Sequence, residues 1–135
     1  MRVLIMGCGR VGSGLAARLA GEGHEVTVLD TDPFAFDRLL TDFRGRRLVG
    51  SGTDDRMLLE AGIRESDCFI ALAGGDNRNI LASQKAKEIY GVRTVVTRVK
   101  DPLRSELFGR LGLSTFSPTK VGVDLAHDAL FEAGA

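Results

Sequence analysis

Proline, cysteine and any excess of charge are scarce in this chain, and each scarcity closes off a class of protein. With three Pro in 135 residues it is not a proline-rich or low-complexity chain. Eighteen basic side chains balance eighteen acidic ones, so no broad basic surface is available to grip nucleic acid or acidic lipid. No apolar run approaches the roughly 20 residues that cross a bilayer. The opening does not read as a signal peptide either, because Arg2 leads at once into a short strand and a glycine loop. The two cysteines, Cys8 and Cys68, read as reduced thiols of a cytosolic protein. They are expected at opposite edges of a parallel sheet, beyond disulfide reach. Cys8 should also face a helix amino end, where a thiolate is favoured, although a small residue in a tight loop is the plainer reading. There is no metal-ligand cluster, nucleophile triad or GK[ST] phosphate loop. His24 falls in a turn on the wrong edge for chemistry, and His127 falls in the terminal helix, exposed or at an interface.

What is present is a chain 44% hydrophobic and 27% charged, enough for one domain with a real core. Its first thirty residues are the informative ones. Val3, Leu4, Ile5 and Met6 form an apolar strand that runs into Gly7-Cys8-Gly9-Arg10-Val11-Gly12. A helical pattern follows, then a second strand through Val26 and Val28 that closes on Asp30. Strand, glycine turn, helix, strand and acid together make the dinucleotide-binding fingerprint in its proper setting.

The rest alternates in the same way. Pro33 to about Leu40 reads as a short helix capped by Asp32, and Arg46–Val49 as a strand. Thr53 or Asp54 caps a helix that Gly62 stops. Cys68–Ala73 is an apolar strand suited to burial on both faces. A helix from about Arg78 to Tyr90 is expected to turn Ile80, Leu81, Ala82, Ala86 and Ile89 inward. Thr94–Val99 is a β-branched strand, Asp101-Pro102 starts another helix, Thr115-Phe116 is a last short strand, and Ser117-Pro118-Thr119 opens a terminal helix. The pattern predicts an α/β fold: a single Rossmann-like domain with a doubly wound six-stranded parallel sheet ordered 3-2-1-4-5-6 and helices on both faces.

In such a fold Gly7 permits the tight turn, Gly9 lets the backbone approach a diphosphate, and Gly12 lets helix and strand pack closely. Free N–H groups at the helix start face the phosphates, helped by the helix dipole by roughly 0.3–1 kcal/mol. Arg10 either reaches a further phosphate oxygen or stands solvated at the mouth. Asp30 accepts from ribose hydroxyls and repels a 2′-phosphate, which disfavours NADP. Thr31 adjoins it, and Asp32 reads better as a cap. Gly50, Ser51, Gly52 and Thr53 follow the third strand, where adenine would rest. Ala73, Gly74 and Gly75 follow the fourth. Asp76, Asn77 and Asn79 either touch a second ribose or cap a helix, and Arg98 points to the phosphates or to solvent.

These segments resemble a known family. MRVLIMGCGRVGSGLA, VLDTDP, GSGTDDRMLLEAGIRESDCFIALAGGDNRNILAS, TRVKDP and GLSTFSPT are similar to the Trk/Ktr-type potassium-uptake regulatory domain, also called the RCK N-terminal, KTN or TrkA-N domain. The resemblance spans essentially the whole chain, residues 1–135. It implies a cytoplasmic regulatory subunit or module, not an enzyme, that binds NAD(H) or ATP/ADP and controls potassium transport. Its partner would be a membrane transporter or channel subunit, holding it at the inner face of the membrane without insertion. It implies nucleotide contacts from Gly7, Gly9, Arg10, Val11, Gly12, Asp30, Ser51, Thr53, Ala73 and Gly74, and assembly into homodimers or rings through the carboxyl-terminal helices. Such regulators often continue into a smaller ligand-binding domain, which is expected to be absent from residues 1–135. The chain is either a truncated relative or a stand-alone nucleotide module. The alternative from another class is a small NAD-dependent oxidoreductase whose substrate site forms between subunits. A third reading is a dimerisation module that has lost its ligand.

Overall fold

Alternation along a strand decides which layer each side chain joins. In the computed structural model, which describes residues 1–133, strand β1 (Arg2–Met6) sends Val3 and Ile5 to one face and Leu4 and Met6 to the other. All four are buried. A strand covered on both sides belongs at the centre of a parallel sheet. Its neighbours are β2 (Glu25–Asp30) and β4 (Cys68–Ala71), with Ile5 opposite both Val28 and Ile70. β3 (Arg46–Val49) continues the sheet beyond β2, while β5 (Thr94–Arg98) and β6 (Ser114–Phe116) continue it beyond β4. The order is β3-β2-β1-β4-β5-β6, all parallel, as the sequence pattern predicts.

Among the described residues, five α-helices flank the sheet: α1 (Arg10–Gly21), α2 (Asp55–Glu60), α3 (Asp76–Gln84), α4 (Pro102–Arg110) and α5 (Pro118–Ala133). On one face Leu58, Ala82 and Ala86 pack against Leu4, Met6 and Phe69. On the other, Ala16, Ala35 and Leu39 pack against Val3, Ile5, Val26 and Val28. Phe69 is fully buried, a burial worth about 1.5–3 kcal/mol. The helix starts follow local chemistry. Asp32, Asp54 and Asp101 each accept a hydrogen bond at 3.0 Å, from the N–H of Phe34, Arg56 and Leu103. Asp54, not Thr53, is therefore the second cap. Gly62 ends its helix in the left-handed region, at φ +83°.

The differences from the sequence pattern have local causes. Pro33–Arg38 is a 3₁₀ helix rather than an α-helix reaching Leu40. β4 stops at Ala71 rather than Ala73, and Leu72 and Ala73 pass close to Gly7. The third helix begins at Asp76, ahead of Arg78, and passes into a π-helical turn over Lys85–Ile89. The wider turn rotates later side chains around the axis. Ala86 stays inside while Ile89 swings out. Leu81 is exposed as well, since the inward face belongs to Asn79, Ile80, Ala82 and Ser83.

Candidate functional site

The crevice lies outside the carboxyl ends of the strands, where the chain winds one way from β1 to β2 and the other way to β4. That switch point is where open α/β sheets take ligands. Gly7 makes the turn out of β1 with φ +106°, and its N–H donates to the Leu29 carbonyl at 2.8 Å. A Cβ there would sit 2.8 Å from both the Leu72 carbonyl carbon and the Ala73 nitrogen, so only glycine fits. A Cβ on Gly12 would overlap the Gly7 carbonyl oxygen, which is why α1 can start so close to the loop. Gly9, by contrast, has nothing within 4 Å of its Cβ position. Its open side leaves room for a ligand.

The resulting cleft measures about 340 Å³. One wall is the loop Gly7-Cys8-Gly9, which leads into the amino end of α1. That end has no side-chain cap and no acid in its first turn. The N–H groups of the first helical turn have no partner within the helix, so they suit an anionic group. Opposite stands Asp30. Its Oδ2 accepts the Cys8 N–H and its Oδ1 accepts the Asp32 N–H, each at 2.8 Å. A carboxylate offers about four lone-pair sites, so two remain for hydroxyl donors. The loop chemistry therefore fits a phosphate beside a ribose.

Further lining comes from Thr31, Ser51, Gly52, Ala73, Gly74 and Arg98, all expected from the sequence. Arg98 is half-buried, with Nη2 donating to the Ala73 carbonyl at 2.7 Å and Nε buried without a partner. Other expected residues are placed elsewhere. Arg10 and Val11, the first residues of α1, are exposed and are not among the residues lining the cleft. Thr53 faces Ser51, their hydroxyls 2.8 Å apart, and its carbonyl accepts from Lys85 Nζ at 2.8 Å. Asn79 is fully buried beneath the loop. Its Oδ1 accepts the Ala73 N–H at 2.9 Å, and its Nδ2 donates to the carbonyls of Ala73 at 2.9 Å and Arg98 at 3.1 Å. Its amide is spent on holding the β4 and β5 loops together. Asp76 likewise turns away, accepting from the Lys100 N–H at 2.9 Å.

Two arginines that line the cleft were not singled out from the sequence, Arg38 and Arg78. Arg38 closes the 3₁₀ helix after β2, with Nη1 3.5 Å from the Cys8 carbonyl. Arg78 sits in the first turn of α3, among the Asp76, Asn77 and Asn79 that drew the reading. Cys8 is buried, and its thiol is pushed up, first by that burial and then by the neighbouring Asp30 carboxylate. A thiolate is thus disfavoured there despite the helix amino end.

A switch-point cleft with a glycine loop and an acid at the end of the second strand defines a Rossmann-type nucleotide-binding domain. The family follows from comparison: a model described as the TrkA-N domain matches residues 3–117, and the chain belongs to that family. The chain is 46% identical over 135 residues, all of its length, to the Trk system potassium uptake protein TrkA of Streptomyces coelicolor, of which it spans 60%. Two solved structures share the fold. One is the Kef CTD of Shewanella denitrificans in AMP-bound form, with TM-score 0.80 and 22% identity over 100% of this chain and 83% of that one. The other is GsuK bound to ADP, with TM-score 0.80 and 20% identity over 96% of this chain and 33% of that one.

Proposed function

We propose that this domain is the nucleotide-sensing module of a Trk-type potassium uptake system. The observation that carries the reading is the pairing, in one cleft, of an uncapped helix amino end with the Asp30 carboxylate. Its ligand is an adenine nucleotide, NAD(H) or ATP/ADP, with NADP disfavoured by Asp30. The ribose rests on Asp30, the phosphates on Gly7, Gly9 and the start of α1, and the base beside Ser51 and Gly52. Gly12 and Asn79 act from behind, by shaping the loops that make contact. The names of the relatives support the potassium role, and the AMP and ADP in two neighbours of the same fold support the ligand class.

The module works by binding rather than turnover. Among the described residues, the ionisable side chains lining the cleft are Asp30, Asp32, Cys8 and three arginines, with no histidine beside them. The partner is a membrane potassium transporter or channel subunit, and the module sits at its cytoplasmic side as a homodimer or larger ring. A nucleotide that contacts two arrangements of that assembly differently shifts their balance, typically by about 1–3 kcal/mol.

Titration calorimetry with AMP, ADP, ATP, NAD and NADH tests the site. Binding tighter than millimolar is expected, and Asp30→Ala should weaken it about 10-fold or more, the scale of a lost hydrogen bond to a charged group. Failure of every nucleotide to bind would overturn the reading. Cofactor turnover with carbonyl substrates is expected to be nil; measurable turnover would restore the oxidoreductase alternative.

A further inference from the structure

The carboxylates of the cleft stand at one end, with Arg38 beside them. Adjacent strands lie about 4.8 Å apart, so moving from β3 through β2 and β1 to β4 moves outward from base to ribose to phosphates and beyond. The acids, Asp30 and Asp32, stand at the β2 end. At the β4 and β5 end the charged lining is Arg78 and Arg98.

Whatever follows the diphosphate must meet that second end. In a dinucleotide it is another ribose, whose hydroxyls need fixed polar partners. The three candidates there, Asp76, Asn77 and Asn79, lie outside the cleft's lining and hold other groups. Asp76 accepts the N–H groups of Lys100 at 2.9 Å and Asp101 at 3.4 Å. The Asn77 amide oxygen accepts from Arg104, and Asn79 is fully buried on Ala73 and Arg98. Arg78 differs from them. It is exposed and forms no ion pair among the described residues. Its aliphatic stem lies over Gly75, about 3.8 Å from that glycine's Cβ position. The amino end of α3 beside it carries no side-chain cap. A planar guanidinium on a short leash suits a terminal phosphate, which it can hold through two N–H donors at once.

We propose that Arg78 is the specificity-determining residue of this cleft, selecting adenine nucleotides that carry a free phosphate beyond the first, ADP and ATP, over the dinucleotide. The inference rests on the nucleotide reading above. It gives the outermost phosphate to Arg78 rather than to Arg10, which is not among the lining residues.

Calorimetry on the full chain with AMP, ADP, ATP and NADH, without divalent cations, tests it. Arg78→Ala should weaken ADP and ATP about 10-fold or more and NADH less than about 3-fold. Arg78→Lys should fall between, because an ammonium supplies a charge without the fork. Thermal melts without ligand should be unchanged, since the side chain is exposed. Equal losses for ATP and NADH in Arg78→Ala would overturn the inference. So would selective loss of ATP in Arg10→Ala together with an unaffected Arg78→Ala. Nucleotide binding without this selectivity leaves the nucleotide reading standing, whereas no binding to the unaltered chain overturns both.

Discussion

Gly12 and Gly9 lie three residues apart and do different work. A methyl group on Gly12 would overlap the Gly7 carbonyl oxygen, a backbone atom that cannot move without opening the loop. Gly12→Ala is therefore expected to destabilise the domain by about 1–3 kcal/mol, the usual scale of overpacking. A methyl on Gly9 meets nothing within 4 Å. Gly9→Ala should keep its stability to within about 0.5 kcal/mol, the range of surface changes, yet weaken nucleotide binding by intruding on the cleft. Denaturant unfolding and calorimetry on the two variants separate these outcomes. Equal stability of both would mean that the loop and α1 part more easily than their packing implies. Cys8 illustrates the same dependence on neighbours: a helix amino end alone favours thiolate, while burial beside Asp30 pushes the other way and prevails.

Between elements, a three-part link ties the start of α2 to the π-helical turn after α3. The Tyr90 hydroxyl donates to Asp55 Oδ1 at 2.6 Å, and Lys85 Nζ donates to Asp55 Oδ2 at 3.3 Å. The Tyr90 bond first, and Lys85 after it, hold the Asp55 carboxyl below its ordinary range. The sign follows from linkage: the carboxylate is better stabilised folded than unfolded, so its contribution is full above the ordinary carboxylate value. It is lost as pH falls through the lowered one. Tyr90→Phe removes the larger cause, so its unfolding should depend less steeply on pH on the acid side than the unaltered chain. Chemical unfolding followed across pH 2–6, roughly the carboxylate range, checks this, and parallel curves would show that the link contributes nothing. The π turn that places Tyr90 also explains why Ile89 faces outward. A helical period read along the sequence assumes a uniform turn, and one widened turn breaks that register.

On the scale of the whole molecule, the cleft end and the far end of the sheet differ in what they leave uncovered. Leu103, Leu107 and Leu111 of α4 and its end, with Val123, Leu125 and Leu130 of α5, are all exposed. A groove of about 580 Å³ runs between the two helices, with Leu103, Phe116 and Val121 in its lining. Exposed apolar faces of this extent mark association surfaces. Sedimentation is expected to find a dimer or larger assembly at micromolar concentration, and Leu107→Asp with Leu125→Asp should shift it towards monomer while leaving the ADP affinity of each cleft within about 3-fold. A monomeric unaltered chain would overturn this.

Much of this architecture was legible in the residues themselves. Apolar runs of strand length, glycines that admit positive φ, and acids before Pro33 and Pro102 are local signals, and local chemistry enforces them. β3 spans Arg46–Val49 as read, the strand order agrees, and Asp30 closes β2 beside the glycine loop. The use made of each polar side chain was decided only in three dimensions. Asn79 and Arg78 are neighbours in sequence and equally polar, yet one is locked beneath a loop and the other stands free at the cleft. What separates them is the position of the Ala73 and Arg98 carbonyls, supplied by two different strand ends. Hydrogen bonds between distant segments exist only once the sheet has brought those segments together, so the strands and turns belong to the sequence and the assignment of its polar groups belongs to the fold.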